Sequence, residues 1–505
     1  MRPMKKEADT THRPYRQILM STFIMGGSSV LVTLLGIVRT KIIALMLGPS
    51  GVGLVGIYMN ISNLIRTFSG MGIGESGMRQ IAGAFGTGSN EKIARTALGI
   101  RRASFLSGLA GMCLLLFFSS SVSRFTFGAA EHNYDIAVLS ATIFFGAVSA
   151  GQIALIQGTR RIGDLAKMNI LGALFGTLVS VPIIYYFRER GIVYLLLTVS
   201  ATAILTSWWY CRKIAMPSVV LSWRDSFSEA KPLVKLGFAL MLGALMTVGA
   251  QYVLRVVVVR YDGLGSAGVY HAATTLSLVY VGVILNAMLT DFYPRLSAAV
   301  HGQEECNSLI NKQVEVGLLL VTPGILAIMT FAPFVITVFY SSKFMQAVEI
   351  LRWQMLGGVL QAVTWPMGFM IRAKGNGKLI LWTELYANSI HLGLAWLGIA
   401  YFGLPGVGIS FFGKDLCYLL LMYWILQINY NFRFTGLTLQ VFGLYVLATA
   451  IVFLLPFFLP KETHVLVNAG ITLLVAACSV KILVGKACNE MMPGFLLRMK
   501  ARFGF

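Results

Sequence analysis

Three basic side chains lie inside apolar sequence near the start of the chain, and their types could do chemistry. Arg39 and Lys41 fall in one apolar stretch, and Arg66 falls in the next. A cation at the depth of a membrane costs a few kcal/mol or more, so it usually faces a protein interior or a water-filled cavity. Guanidinium groups match phosphate oxygens and stay charged at any relevant pH. The pattern therefore indicates a cavity built for an anion.

Arg39 is the strongest candidate because of its depth. It lies more than two helical turns before the turn that Gly48 and Pro49 predict, which is too deep for a charge at the membrane boundary. Lys41 is two residues further on and points to another face of the helix. Its long side chain can reach the headgroups, and the same reach is the alternative for Arg39.

Arg66 belongs to a polar stripe at helical spacing. The stripe consists of Asn60, Asn63, Arg66 and Thr67. Lipid cannot satisfy such a stripe, so it must face protein or water. We expect Asn63 and Arg66 to line the same cavity as Arg39, and a structural network between packed helices is the alternative.

Ionisable residues also lie in later apolar stretches. Lys414 beside Asp415 is either a ligand contact or a buried pair that neutralises itself. Glu384, Asn388 and His391 share one helix face at i, i+4 and i+7. An intramembrane carboxylate suggests a proton or sodium relay, and a structural partner for a nearby arginine is the alternative. The candidates for ion coupling are Glu384, His391, Glu315 and Asp415.

The composition is that of an integral membrane protein. Of 505 residues, 56% are hydrophobic and 12% are charged, whereas soluble domains carry roughly 25% charged residues. The first apolar run is long and lacks a small-residue cleavage motif, so we interpret it as a retained helix rather than a signal peptide. The six cysteines fall in apolar stretches or on the basic side and imply no disulfide framework.

About fourteen transmembrane helices are predicted, in an all-α fold. The spans are 17–47, 52–78, 103–123, 135–158, 164–186, 191–211, 233–260, 265–292, 313–338, 348–371, 378–402, 406–428, 439–459 and 464–484. Most of the 41 Lys and Arg then lie on the side of the two termini, which the positive-inside rule makes cytoplasmic. The net charge of +21 therefore mostly reflects the basic residues on the cytoplasmic side of the membrane. No nucleic-acid partner is expected. The glycine-rich segment 70–77 indicates either close helix packing or a bend in the second helix.

The chain contains an internal repeat. Arg39 is echoed by Arg255 at an offset of 216, and Gly53 is echoed by Gly268 at an offset of 215. Each half carries six spans, so the two six-helix lobes are parallel and surround a central cavity, as in transporters that rock one lobe against the other. Chance similarity between glycine-rich helices is the alternative. Arg39 and Arg255 could together grip a pyrophosphate.

Several enzyme classes are disfavoured by the sequence. It contains no GxxxxGK[ST] phosphate loop and no clustered His/Cys metal motif. The predicted outer loops are short, whereas a membrane polymerase or ligase would usually need a substantial loop holding carboxylates and arginines. We therefore expect a transporter that needs no cofactor.

Motifs in both halves resemble the O-antigen translocases, which are lipid-linked oligosaccharide flippases of the polysaccharide-transporter branch of the MOP exporter superfamily. The resemblance rests on LGPSGVGLVGIY with GMGIGESGMRQIA, then DFYPRLSAAV, YSSKFMQAVEILRWQMLGGVLQ and IRAKGNGKLILWTE in the same order. It covers roughly residues 17–430. The shorter members have twelve helices, so the role of the last two spans here is in doubt.

The resemblance implies a bacterial inner-membrane flippase with a defined substrate. The substrate would be undecaprenyl-pyrophosphate-linked oligosaccharide, moved from the cytoplasmic to the periplasmic leaflet by alternating access, with membrane lipids and other polysaccharide-assembly proteins as partners. Related lipid II flippases line a central cationic cavity with arginines of the first two helices, which is the role implied for Arg39 and Arg66. The remaining substrate-binding candidates are Arg255, Asn63, Lys41 and Lys414.

Two rival functions stay open. A cation-coupled multidrug antiporter of the same superfamily would favour an acidic, aromatic cavity, and a polysaccharide polymerase or ligase would favour long outer loops. The predicted organisation is a cytoplasmic tail (1–16), an N-terminal lobe (17–211), a cytoplasmic linker (212–232), a C-terminal lobe (233–428), two further helices (429–484) and a basic cytoplasmic tail (485–505).

Overall fold

The computed structural model describes most of the chain. It describes the backbone of residues 8–214, 216–217, 219 and 222–503, and the side chains of residues 24–214, 216–217, 219, 222, 241–289, 291–460 and 462–485. Within these ranges the secondary structure is helical, with no strand. Nine apolar stretches of the described chain are long enough to cross a membrane. The prediction of an all-α integral membrane protein is confirmed.

Fourteen α-helices form in the described ranges. They are α1 Ala8–Gly70, α2 Ile73–Gly86, α3 Asn90–Phe127, α4 Asn133–Gly158, α5 Ile162–Phe187, α6 Gly191–Cys211, α7 Trp223–Ala298, α8 Gln303–Thr330, α9 Ala332–Phe339, α10 Ala347–Ala373, α11 Gly377–Phe402, α12 Pro405–Tyr430, α13 Gly436–Phe458 and α14 Lys461–Phe503. Seven of them agree with predicted spans to within a few residues, namely α4, α5, α6, α10, α11, α12 and α13. The predicted span 313–338 is divided between α8 and α9. The predicted tail and linker are shorter, because α1 begins at Ala8 and α7 at Trp223.

Two long helices each contain two predicted spans joined at a glycine. The kink in α1 is at Gly48 (φ 68°, ψ −161°), and the kink in α7 is at Gly263 (φ 82°, ψ −177°). This combination of angles is essentially restricted to glycine. The two kinks lie 215 residues apart, which is the offset of the sequence repeat. Both halves of the repeat therefore change direction at a glycine with a similar backbone conformation.

The second predicted span does not continue to residue 78. The second arm of α1 ends at Gly70, and α2 begins at Ile73 after Met71 (φ 44°) and Gly72 (φ 64°) in left-handed conformations. Of the two interpretations of the segment 70–77, the bend is therefore confirmed. The break produces a helix start within unit 1, at the end of the arm that carries Arg66.

The described chain divides into two compact units. Unit 1 comprises Met1–Gly268 with Phe339–Ser341. In it α3 packs on α4, α5 on α6, and α1 on α5. The first arm of α7 is fixed to the end of α3, because the Arg260 guanidinium donates to the carbonyls of Arg124 and Phe125 and Tyr252 Oη lies 2.6 Å from Thr126 Oγ1.

A close helix contact inside unit 1 involves repeat-equivalent glycines. A Cβ built on Gly53 would lie 3.0 Å from the nitrogen of Gly268 and against the carbonyl of Leu264. A Cβ built on Gly268 would lie 2.9 Å from the nitrogen of Gly53 and against the carbonyl of Pro49. Backbone meets backbone here, so neither position has room for a side chain.

Unit 2 comprises Val269–Val338 with Ser342–Phe505. In it α12 packs on α10 and α11, and α8 packs on α10, α13 and α14. The connection into α13 is held by α8, because Asn311 donates to the carbonyl of Arg433 (3.0 Å) and accepts from the backbone of Thr435 (2.9 Å). The last two helices are thus docked on α8. The predicted lobe boundaries remain a prediction.

Candidate anion-binding site

Arg39 lines a cavity within unit 1. The cavity lies among α1, α4, α5 and α6 and has a volume of about 260 Å³. Its polar lining comprises Arg39, Ser149, Asn169, Thr177 and Thr206. Among the described residues, the guanidinium of Arg39 makes no hydrogen bond or ion pair. Arg39, the strongest candidate from the sequence, is therefore a half-buried cation whose N–H donors have no partner among the described residues.

The other polar groups of this cavity differ in how far they are satisfied. The Oγ of Ser149 lies 3.2 Å from that of Ser207, and the hydroxyl of Thr206 donates to the carbonyl of Thr202 at 2.8 Å. The amide of Asn169 has no hydrogen-bond partner in the described part of the chain. Among the described residues, Arg39 and Asn169 thus present free donors to one cavity, which suits an anionic or hydroxylated ligand.

Arg66 lines a different cavity in unit 1. This cavity, of about 240 Å³, is formed by the second arm of α1, the start of α2, α3, α4 and the first arm of α7. The Nη2 of Arg66 donates to Asn63 Oδ1 at 2.9 Å, as the polar stripe predicts. A Cβ on Gly146 of α4 would lie 3.3 Å from Arg66 Cδ, so this glycine leaves room for the arginine.

Other residues complete the surroundings of Arg66. Gly70, Gly72 and Gly74 line the same cavity around the first turn of α2, whose N-cap residue, Gly72, has no side chain to cap it. Glu75 also lines this cavity, and its carboxylate would repel an anion there. The net electrostatic character of this cavity therefore depends on which way the exposed Glu75 turns.

The expectation of one cavity shared by Arg39 and Arg66 differs from the structure. The two cavities have no lining residue in common. Helix α4 lies between them, because Ser149 and Ile153 face the cavity of Arg39 while Ala147 and Ala150 face that of Arg66. The position of α4 between two arginines of another helix depends on tertiary packing, which no local pattern encodes.

The remaining basic candidates occupy separate places. Arg255 lies eight residues before the kink at Gly263 and is half-buried, but it lines neither cavity. Lys41 is also half-buried and lines neither cavity. Lys414 lies in unit 2. Each keeps its predicted role only as a proposal.

Lys414 and Asp415 form a buried pair. Lys414 Nζ lies 2.7 Å from Asp415 Oδ1 and 4.3 Å from the centre of the Phe411 ring. The other carboxylate oxygen accepts from Gln361 Nε2 at 3.1 Å. The Asp415 side chain is 3% exposed. The two side chains thus form an ion pair in the structure, and a ligand contact by Lys414 stays a prediction.

The acids proposed for ion coupling are dispersed within unit 2. Glu384 Oε1 lies 3.8 Å from Arg372, whereas His391 packs against the ring of Phe411. Asn388 donates to the backbone carbonyl of Glu384 at 2.8 Å rather than to its carboxylate. An amide side chain on a helix readily bonds to the carbonyl one turn back, and a relay from Glu384 to His391 stays a prediction.

Glu315 of α8 is 5% exposed and accepts a hydrogen bond from Thr438 Oγ1 at 2.8 Å. It therefore joins α8 to α13. A relay through Glu315 stays a prediction, and its described hydrogen bond has a structural role.

A polar cluster that sequence reasoning missed links α1 to the start of α4. Tyr58 Oη donates to Asp135 Oδ2 at 2.8 Å and lies 3.0 Å from His132 Nδ1. Tyr58 is 1% exposed. The only signal in the sequence was the i, i+3 spacing of His132 and Asp135 after an apolar stretch. In the described residues no group of three His, Cys, Asp or Glu could hold a metal ion.

The sequence of this chain is similar to a known protein family and to two bacterial flippases. A family model described as polysaccharide biosynthesis protein matches residues 42–349. The chain belongs to the polysaccharide biosynthesis protein family. The lipid III flippase of Escherichia coli (strain K12) is 21% identical over 365 residues, which cover 69% of this chain and 84% of that protein. The lipid III flippase of Shigella flexneri matches equally. The resemblance to lipid-linked oligosaccharide flippases is thereby confirmed, and it favours a transporter over an enzyme.

Solved structures share the fold of this family member. Lipid II flippase MurJ in an inward closed conformation aligns with a TM-score of 0.71 at 16% identity, covering 93% of this chain and 100% of that one. An inward-facing multidrug resistance MATE family transporter of the MOP superfamily aligns with a TM-score of 0.69 at 19% identity, covering 79% and 94%. At such low identity the likeness concerns the fold alone.

Proposed function

We propose that this protein is a flippase for undecaprenyl-pyrophosphate-linked oligosaccharide. It moves the lipid from the cytoplasmic to the periplasmic leaflet of the bacterial inner membrane by alternating access, with both termini cytoplasmic. The carried repeat unit belongs to an O-antigen or a related polysaccharide. Family membership and the two lipid III flippases support the general class of activity.

The observation that carries the proposal is the guanidinium of Arg39, which has no hydrogen-bond or ion-pair partner among the described residues. An unpaired arginine in an apolar span is costly, so its presence there suits a ligand that brings negative charge. Arginine binds phosphate oxygens bidentately. The cavities of about 260 and 240 Å³ are smaller than the roughly 300–1,000 Å³ of sites for drug-sized ligands. They suit a phosphate group, and the sugars lie outside them.

A multidrug antiporter is the competing function, because MATE transporters have the same fold. Organic cations would be repelled by a free guanidinium in a cavity. The paired state of Asp415 with Lys414 also removes a carboxylate that could bind a cation. We therefore favour the anionic lipid.

Complementation of a flippase-deficient strain tests the proposal. We expect Arg39→Ala to lower surface polysaccharide at least tenfold at normal membrane abundance, since a charge-assisted hydrogen bond contributes about 1.5–3 kcal/mol. Arg39→Lys should restore only part of the activity, because an ammonium lacks the bidentate fork. The control is Lys343→Ala, which removes an exposed cation of unit 2. Full activity of Arg39→Ala would overturn the phosphate role of this residue.

A further inference from the structure

A polar cluster joins the second arm of α1 to the start of α4 within unit 1. Tyr58 lies ten residues after the kink at Gly48, His132 directly precedes α4, and Asp135 lies in the first turn of α4. Tyr58 Oη donates to Asp135 Oδ2 at 2.8 Å and lies 3.0 Å from His132 Nδ1. The same carboxylate oxygen lies 3.6 Å from His132 Nδ1. The three side chains therefore contact one another in a closed triangle.

The strength of this triangle depends on a hydrogen atom at Nδ1 of His132. The hydroxyl of Tyr58 has one hydrogen, which Asp135 accepts. The hydroxyl oxygen can then only accept from His132, and this bond requires a hydrogen on Nδ1. Neutral imidazole carries its single hydrogen on either nitrogen, whereas the imidazolium carries one on both. Protonation therefore secures the bond to Tyr58 and places a positive charge beside Asp135.

The cluster is buried on one side and accessible on the other. The side chains of His132 and Asp135 are 22% and 25% exposed, whereas Tyr58 is 1% exposed. The ring of Phe127 packs on that of His132 with the ring centres 4.0 Å apart. Among the described residues, Asp135 is the one carboxylate within ion-pair distance of the imidazole. The other charged or titratable groups around the cluster, on α3, the turn after it, α4, the segment before α6, α6 and α7, are Arg124, Glu131, Tyr134, Arg190, Tyr194 and Arg260.

The second arm of α1 is an element whose attachment can matter for movement. It lies between the kink at Gly48 and the break before α2, and residues at such element ends absorb the dihedral changes of conformational transitions. The arm also contacts α4 further along, where Ser62 Oγ lies 3.3 Å from Thr142 Oγ1. Hydroxyl groups of this kind do not change charge near neutral pH. A response of the attachment to pH therefore comes from the contact of Tyr58.

We propose that Tyr58, His132 and Asp135 form a pH-sensitive latch between α1 and α4. Histidine changes charge between pH 5 and 8, so the latch is strong at the acidic end of this range and weak at the alkaline end. The inference rests on the orientation in the proposed function, which places the turn 128–133 on the periplasmic side. Acid in the periplasm then holds the second arm of α1 on α4 and slows the transport cycle.

Hydrogen exchange of the purified full-length protein at pH 6 and pH 8 tests the latch. After correction for the chemical exchange rate, the amides of residues 52–62 and 129–138 should be about threefold better protected at pH 6, which is the size of effect that a partly exposed ion pair gives. His132→Asn keeps a donor for Tyr58 but cannot change charge, so its protection should be equal at both pH values. The matched control is His301→Asn, which removes an exposed histidine of another turn and should respond as the wild type does.

Two further measurements complete the test. Tyr58→Phe removes both hydrogen bonds of the hydroxyl, so it should lower protection at both pH values and abolish the difference between them. In vesicles, the ratio of transport rates at periplasmic pH 8 and pH 6 should be about threefold higher for the wild type than for His132→Asn. Equal pH dependence of these two proteins, in protection or in transport, would overturn the latch and leave the proposed function standing. A wild type that flips no lipid would overturn the proposed function, and the protection ratios would still decide the latch.

Discussion

Glu315 is a buried carboxylate with a hydrogen-bond partner on another helix. It lies on α8 and accepts a hydrogen bond from Thr438 at the first turn of α13. From the sequence alone, a buried acid in a membrane span suggests ion coupling. Its partner lies more than a hundred residues away in the chain, so no local pattern could reveal the pairing. The same holds for Tyr58 and Asp135, which are joined across 77 residues.

Glu315→Gln and Glu315→Ala separate the structural role of this residue from a coupling role. Glutamine keeps an acceptor oxygen for Thr438, so we expect wild-type stability and wild-type transport. Alanine removes the bond between α8 and α13 while Thr438 keeps its contact with Thr435 Oγ1 at 2.7 Å, so the loss should cost about 0.5–1.5 kcal/mol of unfolding free energy. Thermal unfolding in detergent and transport in vesicles measure the two effects, with exposed Glu462→Gln as the control. A glutamine variant that is stable yet inactive would restore the coupling hypothesis.

The candidate site could be predicted only in part. The depth of Arg39 and the pairing of Asn63 with Arg66 follow from spacing on single helices, and spacing is visible in the sequence. Asn169 was not found, because its cavity is closed by four helices whose relative rotation no single stretch encodes. The division of the two arginines by α4 was missed for the same reason.

At the scale of the helices, glycine decides where the chain turns. The lengths of the apolar stretches, and the glycines and prolines between them, were enough to predict the bounds of half of the helices. This works because the thickness of the hydrocarbon core sets the length of a span. The prediction of a helix end was ambiguous at Met71 and Gly72. Glycines that allow close helix packing and glycines that allow a bend cannot be told apart in the sequence. The kinks at Gly48 and Gly263 were easier, because a turn between two complete spans has to lie there.

Three glycines within six residues of α7 test backbone strain and packing separately. Gly263→Ala meets no neighbouring atom within 4 Å but requires a positive φ, so we expect a cost of about 1–3 kcal/mol. Gly268→Ala places its Cβ against the backbone of Pro49, which should cost about as much or more. Gly265→Ala has its nearest contact at 3.8 Å and should change stability by less than about 0.5 kcal/mol.

Denaturation in detergent, read as melting temperature and as the yield of monodisperse protein, gives this ranking. Gly265→Ala serves as the matched control because it lies in the same turn region. If Gly265→Ala were as damaging as Gly268→Ala, close backbone packing would not explain the intolerance of the second position.

At the scale of the whole molecule, the distribution of basic residues predicts how the chain is oriented in the membrane. The turn after α4 carries Arg160 and Arg161, and the turn after α10 carries Arg372 and Lys374. The turn after α3 carries no lysine or arginine between residues 128 and 133. This contrast follows from the positive-inside rule, and it could be predicted because it depends on counts rather than contacts.

Reporter fusions test the orientation. A reporter active only in the cytoplasm should be active when fused after Gly375 or after the C-terminal residue Phe505, and inactive after Ala130. A periplasmic reporter should give the opposite pattern at all three positions. Periplasmic activity at Phe505 with cytoplasmic activity at Gly375 would mean that an odd number of the four helices α11 to α14 crosses the membrane.

The contact between Gly53 and Gly268 is reciprocal. The two glycines stand at equivalent positions of the sequence repeat, and each lies where the other's side chain would have to be. Neither position can accept a larger residue by shrinking the other, because glycine is already the smallest amino acid. No second substitution at this contact can therefore relieve the first.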